Sequence, residues 1–478
     1  MPVVCGVDSS TQSTKVQLRD VETGAVLSQS RCPHPATTPP RSEQDPAAWW
    51  EALTPQLGAA ADRGPGERPA ALSVAGQQHG MVVLGPDDKV LRPAKLWNDT
   101  ESAPDADALV ARLGGPAPWA AATGSVPGPA FTVTKLAWLA RVEPAVHAQV
   151  ARVLLPHDWL TWRLAGAAVT DRGDASGTGY FSPVTDRYLP EILDLVGLDE
   201  SVAPHLAKPS EPVGEWAGML VAAGTGDNMA LGLGIGLRAG DVVVSIGTSG
   251  TVFALSERPT ADPTGAVAGF ADATGRFLPL VCTLNAGRVT DTVARLLEVD
   301  ADGLDRLALS ARPGAGGLVL VPYLDGERTP NRPGASGVLS GIRTDVSRAD
   351  LARAAVEGVV CGLLDGLDAL GAVGVDTTSG RLMLVGGGAR SAAYRRVLAD
   401  LSGRPVVVPV GDELVATGAC VQAAALLAGA APAEVAVAWG LGSGAVVDPS
   451  GATDPAIVRG AYHQARDAGH RADPRGAP

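Results

Sequence analysis

Short apolar runs that stop abruptly in glycine and small hydroxyl residues set the rhythm of this chain. The first, Val3-Val4-Cys5-Gly6-Val7, passes into Asp8-Ser9-Ser10 and re-enters a strand-like stretch over Lys15 to Leu18. Val242-Val243-Val244-Ser245-Ile246 passes in the same way into Gly247-Thr248-Ser249 and returns over Thr251 to Leu255. Each pattern predicts a strand, a tight turn and a returning strand. Such a turn exposes backbone N–H groups at its tip, and that concavity suits phosphate. Two of them, one in each half, predict a duplicated domain holding a polyphosphate between its copies. The plainer alternative is a pair of ordinary Ser/Thr hairpins in a large α/β protein.

Up to about residue 240, strands alternate with helical stretches, broken by Pro/Gly-rich connectors at 33–40 and 64–69. Leu72 to Ala75 runs into the polar loop Gly76-Gln77-Gln78-His79-Gly80, and Met219 to Ala223 into Gly224-Thr225-Gly226-Asp227-Asn228. Leu382 to Val385 stops at Gly386-Gly387-Gly388. The clearest helix starts near Ser347, which stands at capping-box spacing from Asp350. Leu351, Ala355, Val359, Leu363, Leu367 and Leu370 then share one face. The pattern predicts α/β domains at 1–240 and 241–478. The tail after about 440 is expected to be partly loose, with one helix over Pro455 to Ala468 and a free end from Gly469.

The length, 478 residues, exceeds what one core supports, and 46% hydrophobic residues can fill two. No apolar run reaches the roughly 18–20 uncharged residues that span a bilayer. Without a basic, apolar leader, and with five widely spaced cysteines forming no CxxC pair, a reducing cytoplasm is expected. A net charge of −13 without extended Lys/Arg clusters argues against nucleic acid as the main ligand. ATP stays open, because Mg2+ and backbone amides can meet its charge. None of the lysines (Lys15, Lys89, Lys95, Lys135, Lys208) follows a glycine, which excludes a Walker A loop. Protein-kinase and nucleophile-elbow motifs are missing too, and Gly232-Leu233-Gly234-Ile235-Gly236 is a weak approach to a Rossmann fingerprint.

Asp227 follows a strand and a glycine turn and opens a helix. The helix N-terminus is expected to keep its carboxylate ionised, ready to take a proton from an acceptor hydroxyl in phosphoryl transfer. A plain N-cap is the alternative. Asp8 could hold a divalent metal by hard oxygen ligation. His79, with Gln77 and Gln78, suits hydrogen bonds to several sugar hydroxyls, while Trp97-Asn98-Asp99 combines a flat apolar face with an amide and a carboxylate, as polyol binding needs. Glu327-Arg328 is expected to be an internal ion pair shaping the Pro322–Pro330 loop.

Several strings converge on one family. They are Asp8 to Lys15, Gln44-Asp45-Pro46 with Trp49-Trp50, Gly76 to Gly80, Trp97-Asn98-Asp99 and Leu154 to Leu160. Gly226-Asp227-Asn228, Ser245 to Gly250, Pro322 to Pro330, Gly337 to Glu357 and Gly386 to Ser391 complete the set. The chain resembles the FGGY carbohydrate kinases nearly end to end, and among them those acting on D-xylulose. Ala130 to Lys135 fits the family's N-terminal signature loosely.

The resemblance implies an α/β fold of two actin-like (ribonuclease H-like) domains with a cleft between them that closes over sugar and ATP. It implies Asp227 as general base, Asp8 at Mg2+ (partly through water) and phosphate, and Gln78, His79 and Asn228 at the sugar beside Trp97 and Asp99. Thr11, Gly247 and Thr248 would face phosphates, and Gly387, Gly388 and Ala389 the adenosine. The expected partners are a small sugar and ATP, with no nucleic acid and no membrane; a homodimer is left open. Kinases of another pentulose or polyol are the near alternative. A non-catalytic actin-like sensor is disfavoured by the retention of Asp8 and Asp227, and by the absence of a DNA-binding segment ahead of Asp8.

Overall fold

The computed structural model describes residues 2–64, 66–209, 211–452 and 454–471. The chain divides into two units, each built on its own sheet. The first comprises Met1–Leu237, Glu257–Leu278 and Gly411–Gly442; the second comprises Arg238–Ser256, Pro279–Val410 and Ser443–Pro478.

In the first unit, β1 (Val3–Ser9) pairs antiparallel with β2 (Ser13–Asp20), and β2 with β3 (Val26–Pro33). On its other side β1 runs parallel to β4 (Pro69–Gly76). An antiparallel hairpin of β5 (Pro212–Trp216) and β6 (Met219–Ala222) adds β6 parallel to β4. Every residue of β1 is buried, as a strand covered on both faces must be. Alternation sends Val3, Cys5 and Val7 into the core shared with α1 (Pro46–Ala61) and α3 (Pro156–Ala165), through Trp49, Leu53, Trp159 and Leu160. Between these two helices in sequence lies α2 (Thr132–Val142).

Gly6 points the opposite way, against α7 (Leu414–Ala428). A Cβ there would lie 2.6 Å from both the Cys420 amide nitrogen and its Sγ. Gly234, at the end of α4 (Asp227–Gly234), and Gly418 of α7 likewise leave no space for a Cβ, the one against the Leu414 backbone and the other against that of Ala230. These contacts seat α7 directly on β1 and α4. The chain around it therefore belongs to the first unit, as does 257–278, so a single cut near residue 240 does not separate the units.

The second unit repeats the strand order. β7 (Val242–Ile246) pairs antiparallel with β8 (Gly250–Ala254), and β8 with β9 (Phe277–Thr283). β7 also runs parallel to β10 (Leu382–Val385), and β10 to β11 (Val406–Pro409). Three antiparallel strands followed by two parallel ones is the ribonuclease H-like arrangement that the resemblance implies. The helix predicted from Ser347 is α5 (Arg348–Ala372), with the capping box formed and Ala355, Val359, Leu363 and Leu370 buried. Further along lies α6 (Ala392–Ser402).

The tail expected to be partly loose instead carries β12 (Gly444–Val447), antiparallel to β11, and α8 (Pro455–Arg471), which buries Tyr462. Helix continues through Gly469; residues 472–478 lie outside the described residues. Among the described residues no single helix is long and apolar enough to cross a membrane, and all five cysteines are free.

Candidate active site

Strand register brings three loops of the first unit together. Ser9 of β1 lies opposite Gly76 of β4, and Gln77 N–H donates to Ser9 O at 3.0 Å. On the far side of β4, Thr225 and Gly226 pair with Ala75 and Gly76. Asp8, Gln77–His79 and Asp227–Asn228 therefore emerge side by side at the carboxyl ends of parallel strands, where α/β sheets bind ligands.

Asp8 is 2% exposed and faces Lys15 across the hairpin. The Lys15 Nζ lies 3.0 Å from Asp8 Oδ2 and 2.7 Å from Glu413 Oε2. Burial raises the Asp8 pKa and Glu413 adds to the rise, against the pull of Lys15. Asp8 Oδ1 is buried with no hydrogen-bond partner. An unpaired hard oxygen of this kind fits a divalent cation or its water.

Asn228 Nδ2 donates to Gln78 Oε1 at 2.8 Å and to Asp227 Oδ1 at 3.1 Å, joining three of the predicted sugar residues. The surroundings of Asp227 raise its pKa, where the helix N-terminus alone was expected to hold it low. Desolvation, then the Asp8 and Asp174 carboxylates, raise its pKa to about 7. Backbone amides at the start of α4 oppose the shift and do not offset a poorly solvated charge beside two like charges.

His79 adopts a left-handed backbone, φ 65°. The ring stacks on Phe131 at 5.1 Å and lies beside Phe270 at 5.4 Å. Its Nδ1 is 2.7 Å from Gly177 O; a carbonyl can only accept, so Nδ1 carries a proton. Thr11 accepts from Trp97 Nε1 at 2.9 Å and donates to Gln77 Oε1 at 3.0 Å, which ties Trp97 to the first hairpin.

Asp99 departs from its predicted place at the sugar. It is fully buried, and its Oδ2 accepts from Lys95 Nζ at 2.9 Å and Ser42 N–H at 2.8 Å. Its Oδ1 accepts from Glu101 N–H at 3.1 Å. Glu43, Asp99 and Glu101 group their carboxylates closely enough to suggest a metal site, but Lys95 Nζ contacts all three. A buried ammonium needs such partners, so both lone-pair sets of Asp99 are committed to structure.

In the second unit, Gly247 and Thr248 sit exposed at the hairpin tip. Because β10 runs beside β7, the Gly386–Gly388 turn crosses the end of β7. A Cβ on Gly386 would lie 2.6 Å from Ile246 O, and one on Gly388 would collide with the Ile246 side chain, while Gly387 has open space around it. Gly247, Thr248, Gly387 and Gly388 thus share one strand-end surface, with Ala389 buried behind it. Glu327 does not form the expected ion pair with Arg328. Its buried carboxylate accepts from the backbone N–H of Leu284 (2.6 Å) and Arg328 (2.7 Å) and from Asn285 Nδ2 (3.0 Å). Three amides satisfy it in place, which clamps the loop.

Sequence reasoning gave no role to His157, Asp158, Asp171, Asp174 or Gly177, all buried behind the Asp227 and His79 loops. Their signal was the density of acids around one histidine in two segments that periodicity does not connect.

Comparisons with known proteins agree with this architecture. The model of the FGGY family of carbohydrate kinases, N-terminal domain, matches residues 3–245, and that of its C-terminal domain matches 242–427. The chain belongs to the FGGY family of carbohydrate kinases. It is 49% identical over 459 residues to the xylulose kinase of Streptomyces rubiginosus, covering 94% of this chain and 92% of that one. The xylulose kinase of Escherichia coli is 36% identical, with 86% and 87% covered. Among solved structures, the xylulose kinase of Bifidobacterium adolescentis superposes with a TM-score of 0.84 at 40% identity, over 97% of this chain and 99% of that chain.

Proposed function

We propose that the protein transfers the γ-phosphoryl group of ATP to the 5-hydroxyl of D-xylulose, giving D-xylulose 5-phosphate and ADP. The carrying observation is Asp227, with a pKa of about 7, hydrogen-bonded into the Gln78–Asn228 amide pair beside Asp8. The similarity to xylulose kinases supplies the sugar.

Phosphoryl transfer asks for positioning and charge neutralisation more than for covalent help. In this reading Gln78, His79 and Asn228 orient the hydroxyls of the sugar, and Trp97 gives its carbon skeleton an apolar wall. Asp227 accepts the proton of the attacking hydroxyl; a carboxylate with a pKa near working pH is well matched to that task. Asp8 Oδ1 would hold Mg2+, directly or through water, and the cation would offset phosphate charge. Lys15 keeps Asp8 oriented through Oδ2. Thr11, Gly247 and Thr248 contact phosphates, and Gly387, Gly388 and Ala389 lie toward the adenosine. The five free cysteines suit a cytoplasmic setting.

An ADP-release assay across D-xylulose, D-ribulose, L-ribulose, L-xylulose, glycerol and gluconate tests the assignment. D-xylulose is expected to give the highest kcat/KM; a higher value for any other sugar overturns it.

A further inference from the structure

His157 is the second residue of α3 and is 0% exposed. Burial and the positive end of a helix both disfavour a charged imidazole there. Three carboxylates nevertheless surround it. Nδ1 donates to Asp174 Oδ2 at 2.7 Å, while Nε2 lies 3.2 Å from Asp158 Oδ1 and 3.9 Å from Asp171 Oδ1. Together they outweigh the burial and raise the His157 pKa above its ordinary value, which favours the charged ring.

This cluster lies directly beneath the loops of the candidate active site. A Cβ on Gly76, which opens the Gln77–His79 loop, would lie 2.8 Å from His157 Cβ. One on Gly224, which opens the Asp227 turn, would lie 2.6 Å from His157 Cδ2. Asp171 Oδ2 accepts from Thr225 Oγ1 at 2.8 Å, two residues before Asp227. The same carboxylate caps the 172–175 turn through Gly173 and Asp174 N–H, and the chain just beyond that turn presents Gly177 O to His79. Asp174 Oδ1 and Gln78 Nε2 are both buried without a well-formed bond, and the Gln78 amide lies close enough to Asp174 to favour its charged form.

We propose that His157 and Asp174 are positioning residues, a buried ion pair that locks the Gln78–His79 loop and the Asp227–Asn228 turn into one geometry. The proposal rests on the reading of this site as the sugar-phosphorylating centre. Burying four ionisable groups is costly compared with an apolar filler of the same volume. What the ion pair adds is direction: the His157 ring is held at 2.7 Å from Asp174 and 3.2 Å from Asp158, and displacing either loop would disturb these buried contacts.

Asp174→Asn keeps the size of the side chain and an oxygen for His157 Nδ1–H while removing the charge. The expected result is a fall in kcat/KM for D-xylulose of up to about 100-fold, the scale of a misplacement near 1 Å. KM for ATP is expected to stay unchanged, while the melting temperature falls because one partner of a buried pair loses its charge. His157→Asn, which retains a donor at the Nδ1 position, is expected to show the same split more weakly. Calorimetric titration with D-xylulose reads the positioning without turnover, and the weaker sugar binding expected there would support the proposal. Equal losses for both substrates would overturn it, leaving a merely structural cluster. An unaltered protein that releases no ADP with D-xylulose would count against the assigned reaction instead, while the titration would still judge the positioning.

Discussion

The two hairpins share a backbone and differ at the tip. In the first, β1 ends in a buried carboxylate held by Lys15, with one oxygen left unpaired. In the second, β7 ends in exposed Gly247 and Thr248, and the neighbouring strand contributes glycines pressed against Ile246. One strand order thus yields two kinds of surface. Side chains give the first tip a charge and an unpaired carboxylate oxygen, whereas the second keeps its backbone accessible by having almost no side chains. In the proposed reaction this difference divides labour: the first unit handles the proton and the metal, and the second handles the nucleotide.

The largest effect is expected where the first tip meets the base. Asp227→Asn should lower kcat by roughly 10²–10⁴-fold, about 3–5 kcal/mol of barrier, with KM for sugar and ATP little changed. A variant retaining more than a tenth of the original kcat would remove Asp227 from the role of base. The same carboxyl, with a pKa of about 7, makes kcat/KM for sugar fall as pH drops below 7 in the unaltered enzyme.

The division between tips is sharpened by changing one residue on each. Asp8→Ala loses a charged contact of about 1.5–3 kcal/mol and should lower kcat roughly 10–100-fold, partly recovered at high Mg2+. Gly387→Val fills open space and should raise KM for ATP about tenfold, within the ~1–3 kcal/mol of a steric misfit, with KM for sugar unaffected and no recovery by Mg2+. Equal Mg2+ rescue of the two variants would erase the distinction.

The smallest effect concerns stability. The Asp227 pKa is raised above the ordinary carboxylate value on folding, so its ionisation destabilises the native state as pH climbs from about 4 through 7. Asp227→Asn should therefore melt higher than the unaltered protein at pH 8, by ~2–4 °C, with the gain vanishing at pH 4. Calorimetric melts at the two values check it; a gain of the same size at both would mean that charge is not the cause.

Local sequence determined much of this molecule. The β-branched runs became β1, β4, β7 and β10, glycines and small hydroxyls closed the turns, and Ser347 with Asp350 capped α5, because each depends on residues a few positions apart. Asp8, Gln78, His79, Asp227 and Asn228 could be singled out for the same reason: each stands where a predicted strand ends. Tertiary structure alone decided the rest. It seated α7 on β1 through Gly6, committed Asp99 to Lys95, moved Glu327 from an ion pair to three amides, and placed His157 among three carboxylates. It also raised the Asp227 pKa through desolvation and the nearby Asp8 and Asp174 carboxylates. Propensity and period are properties of neighbours in the chain, whereas desolvation and charge pairing are set by groups that only folding brings within reach.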